Sequence, residues 1–263
     1  MKRHFSFVFL VFLFSGYLSG QSFQIQRYGI KDGLCHESTY SILQDNSGYI
    51  WISTTQGLCR FDGKNFVSEF KGDTLPGVIA STSFLDSKER LWFGYGNGLV
   101  AMLEDGAFKV LEYEENLSSI VGFDEDDAGN ILAMTQQSGL LVVDEELNLS
   151  LVSDAFSGLF ASYFHLTVDG NLLVGGFSGI TLFVNEGGGD AYSKAGRISS
   201  IPFAQVFDII AGNEDDQYFV GTDEEGLFLL EGSGDDPANY SAVKLGADIG
   251  LEYGIINTLM LDN

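Results

Sequence analysis

Few residues in this chain have the types and spacing that catalysis needs. The three histidines are His4, His36 and His165. No Gly-x-Ser-x-Gly, His-Glu-x-x-His or phosphate-binding glycine loop accompanies them. Residues 124–129 resemble a calcium-binding loop, but Ala128 stands where a third oxygen ligand is needed and Thr135 where the closing glutamate belongs. We therefore predict no catalytic residue, no metal site and no cofactor, and interpret the acidic loop as a solvated turn.

The composition indicates a strand-rich domain and excludes one class of partner. The 263 residues are 45% hydrophobic, with 33 Gly, 22 Phe and 11 Tyr but 3 Pro, which suits many short strands joined by tight turns. Thirteen basic residues against 37 acidic residues give a formal net charge of −24. Because that field repels phosphate backbones, we expect no nucleic acid as a partner of this region.

Residues 1–20 are predicted to be a signal peptide. Lys2 and Arg3 precede the apolar run 5–14, which is too short to span a bilayer as a mature helix, and small residues follow up to Gly20. Cleavage after Gly20 would leave residues 21–263 as an exported, periplasmic domain. The alternative is an uncleaved N-terminal anchor.

A repeat organises the rest of the chain. Its most regular position is a glycine that opens a strand, and successive glycines are 41, 41, 40 and 47 residues apart. These glycines are Gly57, Gly98, Gly139, Gly179 and Gly226. The long last step places extra residues in the loop 193–204. A period of about 40 residues made of short strands and turns predicts an all-β fold, a β-propeller of four-stranded antiparallel blades.

The spacing predicts five complete blades and the start of a sixth. In the first blade we expect strands at about 38–44, 49–54, 57–62 and 65–70. Residues 250–263 parallel residues 33–46 in register, so the chain is expected to stop within a sixth repeat, before the ring closes. Residues 22–28 are expected to be the outermost strand of the last blade, which joins the two ends of the ring.

Two pairs of residues receive structural interpretations. Trp51 and Trp92 recur at the same place in the first two repeats, and we predict that they pack between adjacent blades. The position of Cys59 is filled by Val100, Leu141, Thr181 and Phe228 in the other repeats. Cys59 is therefore expected to be a small buried hydrophobe, and a Cys35–Cys59 disulfide, which export permits, is the alternative.

The stretch 40–63, YSILQDNSGYIWISTTQGLCRFDG, resembles the two-component regulator propeller repeat. That family's pattern is an apolar strand, Asp-x-x-Gly, a Leu/Ile-Trp-x-Gly-Thr strand and Gly-Leu-x-x-Tyr/Phe-Asp. The match is close in the first two repeats and looser afterwards, with Ser53 in place of the usual Gly and Ala133 in place of the Trp.

The resemblance implies the exported sensor region of a hybrid two-component system of the kind found in Bacteroidetes. Such regions often contain seven-bladed rings, and typically detect glycans. A membrane helix and a cytoplasmic histidine kinase that starts a phosphorelay would follow in a longer protein. The kinase activity and the only membrane contact are therefore expected outside this chain.

The direction of the strands predicts where a ligand would bind. In each blade the second turn and the link to the next blade fall on one face of the disc, and these segments vary between repeats. Amide and aromatic side chains there suit the hydroxyl groups and C–H faces of sugars. The candidate contacts are Gln56, Tyr95, Asn97, Gln136, Gln137, Phe177, His36 and Tyr253.

Two functions of different class stay open. The first is a ligand-sensing domain of a signalling receptor, with an oligosaccharide as ligand and a homodimer in the full receptor as its further partner. The second is an extracellular propeller enzyme similar to a lyase. Histidine, arginine and acidic residues gathered around the central channel would favour the enzyme, and the sequence offers few of them.

Overall fold

The computed structural model describes residues 25–68, 75, 78–152, 154–156, 158–187, 191–246 and 254–260. The predicted signal peptide and Tyr253 lie outside these residues. Within them the helical elements are three short 3₁₀ turns, Ile30–Asp32, Asp154–Phe156 and Pro237–Asn239. No helix in the described part of the chain has the length and apolar character needed to cross a bilayer.

Twenty strands in the described residues form five antiparallel sheets of four, and consecutive strands pair within each sheet. Blade 1 consists of β1 (Thr39–Gln44), β2 (Ile50–Thr54), β3 (Gly57–Phe61) and β4 (Phe66–Val67). Blade 2 consists of β5 (Ala80–Leu85), β6 (Leu91–Tyr95), β7 (Val100–Glu104) and β8 (Ala107–Leu111). Blade 3 consists of β9 (Ile120–Glu125), β10 (Ile131–Thr135), β11 (Leu140–Val143) and β12 (Leu149–Val152). Blade 4 consists of β13 (Ala161–Leu166), β14 (Leu172–Gly176), β15 (Gly179–Asn185) and β16 (Tyr192–Arg197). Blade 5 consists of β17 (Val206–Ala211), β18 (Gln217–Thr222), β19 (Leu227–Glu231) and β20 (Ser241–Leu245).

The five repeat glycines occupy equivalent places, which confirms the predicted period. Each lies at the start of the third strand of its blade, with φ between 82° and 119°. This is the left-handed region that glycine enters without strain, so the tight turn before the third strand explains the residue. The strands of blade 1 agree with the prediction within one residue, except that β4 is shorter. The loop expected at 193–204 is partly strand, because β16 extends to Arg197.

Neighbouring blades pack face to face around their first strands. Each of β1, β5, β9 and β13 contacts the first strand of the next blade. Trp51 is 2% exposed and its ring lies 5.5 Å from that of Phe93 in blade 2. Trp92 is fully buried against Ile120 and its neighbours in blade 3. Both tryptophans therefore pack between blades, as predicted.

The third blade differs from the prediction by one residue. Leu132 pairs with Asp124 as Trp51 pairs with Leu43, so Leu132, rather than Ala133, takes the place of the tryptophan. The cause is the turn after β10, which runs from Thr135 to Gly139 and is one residue longer than the turn between Thr54 and Gly57.

A small residue opposite a large one sets the spacing between blades. A Cβ added at Gly94 would lie 2.6 Å from the Cβ of Ile120, and one at Gly175 would lie 2.6 Å from Cγ1 of Val206. These distances are too short for real contacts. The second strand therefore needs glycine wherever the next blade begins with a branched residue.

Residues 254–260 continue this packing pattern on blade 5. The Ile256 N–H donates to the Thr222 carbonyl over 3.0 Å, and a Cβ at Gly221 would lie 2.8 Å from Cγ2 of Ile256. Ile256 therefore packs against Gly221 in the same way as Ile120 packs against Gly94. The segment 254–260 takes the place that the first strand of a following blade would occupy.

The first turn of each early repeat is built around its aspartate. In blade 2, Oδ1 of Asp86 accepts the N–H groups of Lys88 and Arg90. Its Oδ2 accepts Nε1 of Trp92 over 2.8 Å and Nε of Arg90 over 2.6 Å. Asp45 makes the same bond to Trp51 over 2.8 Å. The Asp-x-x-Gly turn and the tryptophan of the repeat are thus one hydrogen-bonded unit.

Two expectations about the first blade need correction. Cys59 is fully buried, as expected, but the alternative disulfide is present: Cys59 is bonded to Cys35, with their Cα atoms 5.8 Å apart, because the link that leads into blade 1 lies along β3. The described part of the expected strand 22–28 is not a strand. Instead, the Tyr28 ring packs 5.0 Å from that of Phe61 and 5.6 Å from that of Phe66. These contacts hold Tyr28 on blade 1.

Candidate ligand-binding face

The second turns and the inter-blade links share one face of the molecule, as predicted. In four blades the backbone N–H of the second turn donates to a carbonyl of the link that precedes the blade's first strand. These bonds are Thr55 to Ser38, Gly96 to Ile79, Gln136 to Ser119 and Asp223 to Gln205, over 3.3, 2.9, 2.8 and 2.8 Å. We call this surface the variable face.

The predicted ligand contacts on blades 1 and 2 differ in exposure and in their hydrogen bonds. Gln56 and Asn97 are exposed at the turn tips. Nδ1 of His36 lies 2.6 Å from Oγ1 of Thr55 and accepts the Ser38 N–H, so the imidazole holds the link against the turn.

Tyr95 is not on the surface, and its prediction as a ligand contact is wrong. Its side chain is fully buried between blades 1 and 2. The cause is the turn register: the Tyr95 N–H pairs with the Leu99 carbonyl, so Tyr95 still belongs to the strand rather than the tip. Burial raises the pKa of the Tyr95 hydroxyl above its usual value.

The structure brings the predicted contacts of blades 3 and 4 together. Gln136 and Gln137 form the tip of blade 3, and the Gln136 carbonyl accepts the Ala161 N–H over 2.9 Å. Phe160, the residue before Ala161, is 45% exposed, and Phe177 at the tip of blade 4 is 59% exposed. Their ring centroids lie 5.7 Å apart. The tip of blade 3, with its two glutamines, thus lies next to the link that carries Phe160, whose exposed ring pairs with that of Phe177.

A third exposed ring and a guanidinium extend this surface towards blade 5. Phe203, in the link between blades 4 and 5, is 79% exposed. Cζ of Arg197 lies 3.9 Å from the centroid of the Phe203 ring. Nε of Arg197 donates to the Ser178 carbonyl over 2.7 Å, next to Phe177. We call Phe160, Phe177, Phe203 and Arg197 the Phe–Arg patch.

Three members of the Phe–Arg patch were missed from the sequence. Phe160 and Phe203 each precede an alanine that opens the first strand of a blade or lies two residues before it, and this repeated Phe-Ala step is a signal that could have found them. Arg197 carries no such signal, because it ends β16 and reaches the patch only through the fold.

The opposite face of blades 3 and 4 contains a groove of about 250 Å³, lined in part by Asp126, Asn130, Val168 and Tyr192. The turn already uses the Asp126 carboxylate: Oδ1 accepts the Ala128 and Asn130 N–H groups, and Oδ2 accepts Nδ2 of Asn130. Burial raises the pKa of Tyr192 to about 12. The Asp126 and Asn130 side chains in the groove are thus already hydrogen-bonded within the turn.

A polar cluster lies along the first strands of blades 3 to 5. Nδ1 of His165 is 3.4 Å from Oδ2 of Asp124, and both side chains are 22% exposed. The same Oδ2 accepts the Leu166 N–H over 2.8 Å. Asp208 is 5% exposed and its Oδ2 accepts the Leu259 N–H over 2.7 Å. Both carboxylates therefore link one first strand to the backbone of the next.

Comparison with known families identifies the repeat. The model of the two component regulator propeller matches residues 33–56, which include β1 and the turn built on Asp45. The chain carries a two component regulator propeller repeat. No curated protein matches the chain significantly.

Solved structures share the propeller fold of this repeat protein. The virginiamycin B lyase of Staphylococcus aureus aligns with TM-score 0.64 and 15% identity over 81% of this chain and 72% of the lyase. The extracellular domain of a proposed hybrid two component system of B. thetaiotaomicron aligns with TM-score 0.58 and 16% identity, over 84% of this chain. That of a proposed one component system from the same organism aligns with TM-score 0.64 and 17% identity, over 87% of this chain. The chain spans 38% and 34% of these two domains. At such identities the likeness shows the fold alone.

Proposed function

We propose that this propeller is the exported sensor domain of a two-component signalling receptor and that it binds an oligosaccharide on its variable face. The observation that carries the proposal is the Phe–Arg patch beside the amides of Gln136 and Gln137. Exposed rings of 45%, 59% and 79% offer flat surfaces for the C–H faces of sugars, and the amides offer donors and acceptors for hydroxyl groups.

The receptor part of the proposal is supported by the match at residues 33–56 and by the extracellular domains that share the fold. The lyase that shares the fold keeps an extracellular enzyme as the second candidate. The His165–Asp124 pair favours it, because an imidazole beside a carboxylate is a common general base.

A thermal-shift screen of the mature chain against neutral and acidic oligosaccharides tests the binding. A ligand present at a hundred times its dissociation constant should raise the stability by about 2.7 kcal/mol, which for a domain of this size is a shift of several degrees. If no saccharide at millimolar concentration raises the melting temperature, the proposal is wrong.

Mass spectrometry of the recovered saccharide separates the two candidates. A sensor domain returns the saccharide unchanged, whereas turnover that His165→Ala abolishes would establish the enzyme instead. The receptor part is checked in the coding sequence beyond codon 263, which should encode a membrane helix and a histidine kinase.

A further inference from the structure

We infer that the Phe–Arg patch binds an acidic sugar: a hexuronate residue whose carboxylate pairs with Arg197 while its ring rests on Phe177 or Phe203. This inference rests on the proposed function and adds the charge of the ligand to it. Four observations support it: the fixed guanidinium, its unused donors, the absence of an acidic partner among the described residues, and the rings beside it.

The guanidinium of Arg197 is held in place before any ligand arrives. Its Nε donates to the Ser178 carbonyl and its Nη2 to the Ile201 carbonyl. Phe203 covers one face of the guanidinium at 3.9 Å. Gly179 makes room for it, since a Cβ there would lie 3.2 Å from Nη2. A guanidinium already fixed in this way loses little entropy when it binds a carboxylate.

The arrangement leaves donors of Arg197 available to a ligand. Guanidinium has five N–H donors, and the described residues accept two of them, through Ser178 and Ile201. The remaining three include those on Nη1. An end-on pair of Nη donors is the fork that binds a carboxylate in bidentate fashion.

No carboxylate of the described residues neutralises Arg197, although the chain has 37 acidic residues. Carboxylates pair with Lys88, Arg90 and Lys244. Among the described residues, two backbone carbonyls accept hydrogen bonds from the Arg197 guanidinium and the Phe203 ring stacks on it. An unneutralised cation on so acidic a protein is complementary to an anionic group on a ligand. The net charge acts only weakly against it, because salt screens charges beyond about 8 Å.

The rings decide which anion fits. Phe203 stacks directly on the guanidinium, and Phe177 precedes Ser178, whose carbonyl accepts Nε of Arg197. A small inorganic anion would leave both rings exposed to water. A hexuronate places a carboxylate on the edge of a ring with apolar C–H faces, so it covers a phenyl ring and reaches the Nη atoms together.

Isothermal titration calorimetry of the mature chain tests the inference with matched ligands. The acidic probes are trigalacturonate, trimannuronate and a hyaluronan tetrasaccharide, each compared with its methyl ester, which keeps the rings and removes the charge. At least one acidic probe should bind, and its ester should bind at least about tenfold more weakly, as expected for the loss of a charged hydrogen-bonded pair.

Variants then assign the effect to the patch. Arg197→Gln should weaken the acidic probe about tenfold or more and leave the ester within about twofold. Phe203→Ala should weaken both, because Phe203 is 79% exposed and its loss removes ring contact with little effect on folding. Lys64→Gln removes the same charge from an exposed site on blade 1 and should change neither. Circular dichroism should show that each variant is folded.

Several outcomes overturn the inference. If the acid and its ester bind with equal affinity, or if Arg197→Gln leaves the affinity for the acid unchanged, Arg197 does not recognise the carboxylate. Phenylacetate that binds as tightly as the uronates shows that the patch takes any cyclic acid rather than a sugar. Binding of neutral oligosaccharides alone removes this inference and leaves the proposed function standing, whereas failure of every saccharide removes both.

Discussion

Asp86 is the residue on which most contacts of one repeat converge. It accepts two backbone N–H groups, the Trp92 indole and the Arg90 guanidinium, and its side chain is fully buried with Arg90 8% exposed. Desolvation of the two charges costs much of what their attraction provides. The pair therefore stabilises the fold mainly by satisfying the turn and the indole, and removing one partner leaves the other charge buried.

We expect Asp86→Ala to lower the free energy of unfolding by about 3–5 kcal/mol, the usual cost of breaking a buried ion pair. Asp144→Ala is the matched control. Asp144 accepts the Asn148 N–H and Nδ2 in a similar turn, but in an exposed setting, so its loss should lower the free energy of unfolding much less than the loss of Asp86. Urea denaturation of both variants gives the comparison. Equal losses would mean that burial of the aspartate does not matter.

Sequence reasoning at the residue scale succeeded for packing and failed for Tyr95. The roles of Trp51 and Trp92 follow from repetition, because a large apolar residue that recurs once per blade must lie between blades. Tyr95 stands three residues before Gly98, as Thr54 stands three residues before Gly57, and both side chains are buried. The repeat register therefore assigns Tyr95 to the end of the second strand, whereas Gln56 and Asn97 lie at the tips.

At the scale of the element, a strand and its neighbour across the blade boundary are matched in size. Gly94 faces Ile120, Gly175 faces Val206 and Gly221 faces Ile256. Where the second strand has a larger residue, the next blade begins with alanine: Met134 is buried in one cluster with Ala161. Close packing leaves no room for two large residues at this position.

The matched sizes predict a rescue. Gly94→Ser should destabilise blade 2 by about 1–3 kcal/mol, because its Cβ would lie 2.6 Å from that of Ile120. Ile120→Ala should also destabilise, because it leaves a cavity. The double variant reproduces the Ser53 and Ala80 found one blade earlier. It should therefore be more stable than the sum of the two losses predicts.

A double-mutant cycle measured by chemical denaturation checks this coupling. Gly29→Ala is the control, since Gly29 has nothing within 4 Å of an added Cβ and a φ of −144°. It should leave stability unchanged. Strict additivity of the Gly94 and Ile120 variants would refute the size-matching argument.

The elements themselves could be predicted because their signals are local. Alternation of apolar residues, glycines with positive φ and Asp-x-x-Gly turns act within ten or so residues, so the strands of blade 1 and the five equivalent glycines are right. The Phe–Arg patch could not be predicted in this way. Phe160, Phe177 and Phe203 come from two links and one tip, and only the packing of blade 4 between its neighbours brings them together.

For the molecule as a whole, the first strands are tied to each other by carboxylates. Asp124 accepts the Leu166 N–H across one boundary and Asp208 accepts the Leu259 N–H across another. Oδ1 of Asp208 is buried and has no hydrogen-bond partner in the described residues. Burial raises the pKa of the Asp208 carboxyl, although the Leu259 and Ile209 N–H groups, the Thr258 side chain and the His165 charge oppose the shift.

The raised pKa of Asp208 in the folded state fixes the direction in which stability changes with pH. Between the usual carboxyl pKa of about 3.9 and the higher pKa of folded Asp208, the folded chain binds more protons than the unfolded chain. Stability from this group therefore falls as pH rises through that window and stays low above it. Asp208→Asn removes the ionisation and keeps an oxygen that can accept the Leu259 N–H.

We expect Asp208→Asn to melt at a higher temperature than the parent at pH 7, and the difference to shrink as the pH falls towards about 4. Asp62→Asn is the control of opposite sign, because the Asn65 and Lys64 N–H groups hold the pKa of the exposed Asp62 carboxyl below its usual value. Asp62→Asn should have a lower melting temperature than the parent at pH 7, and this difference should shrink as the pH falls. Calorimetric melting of the three proteins from pH 4 to pH 7 gives both differences. A difference for Asp208→Asn that stays constant over this range would show that the buried carboxyl does not change its protonation there. The link between blade 5 and residues 254–260 would then be independent of pH.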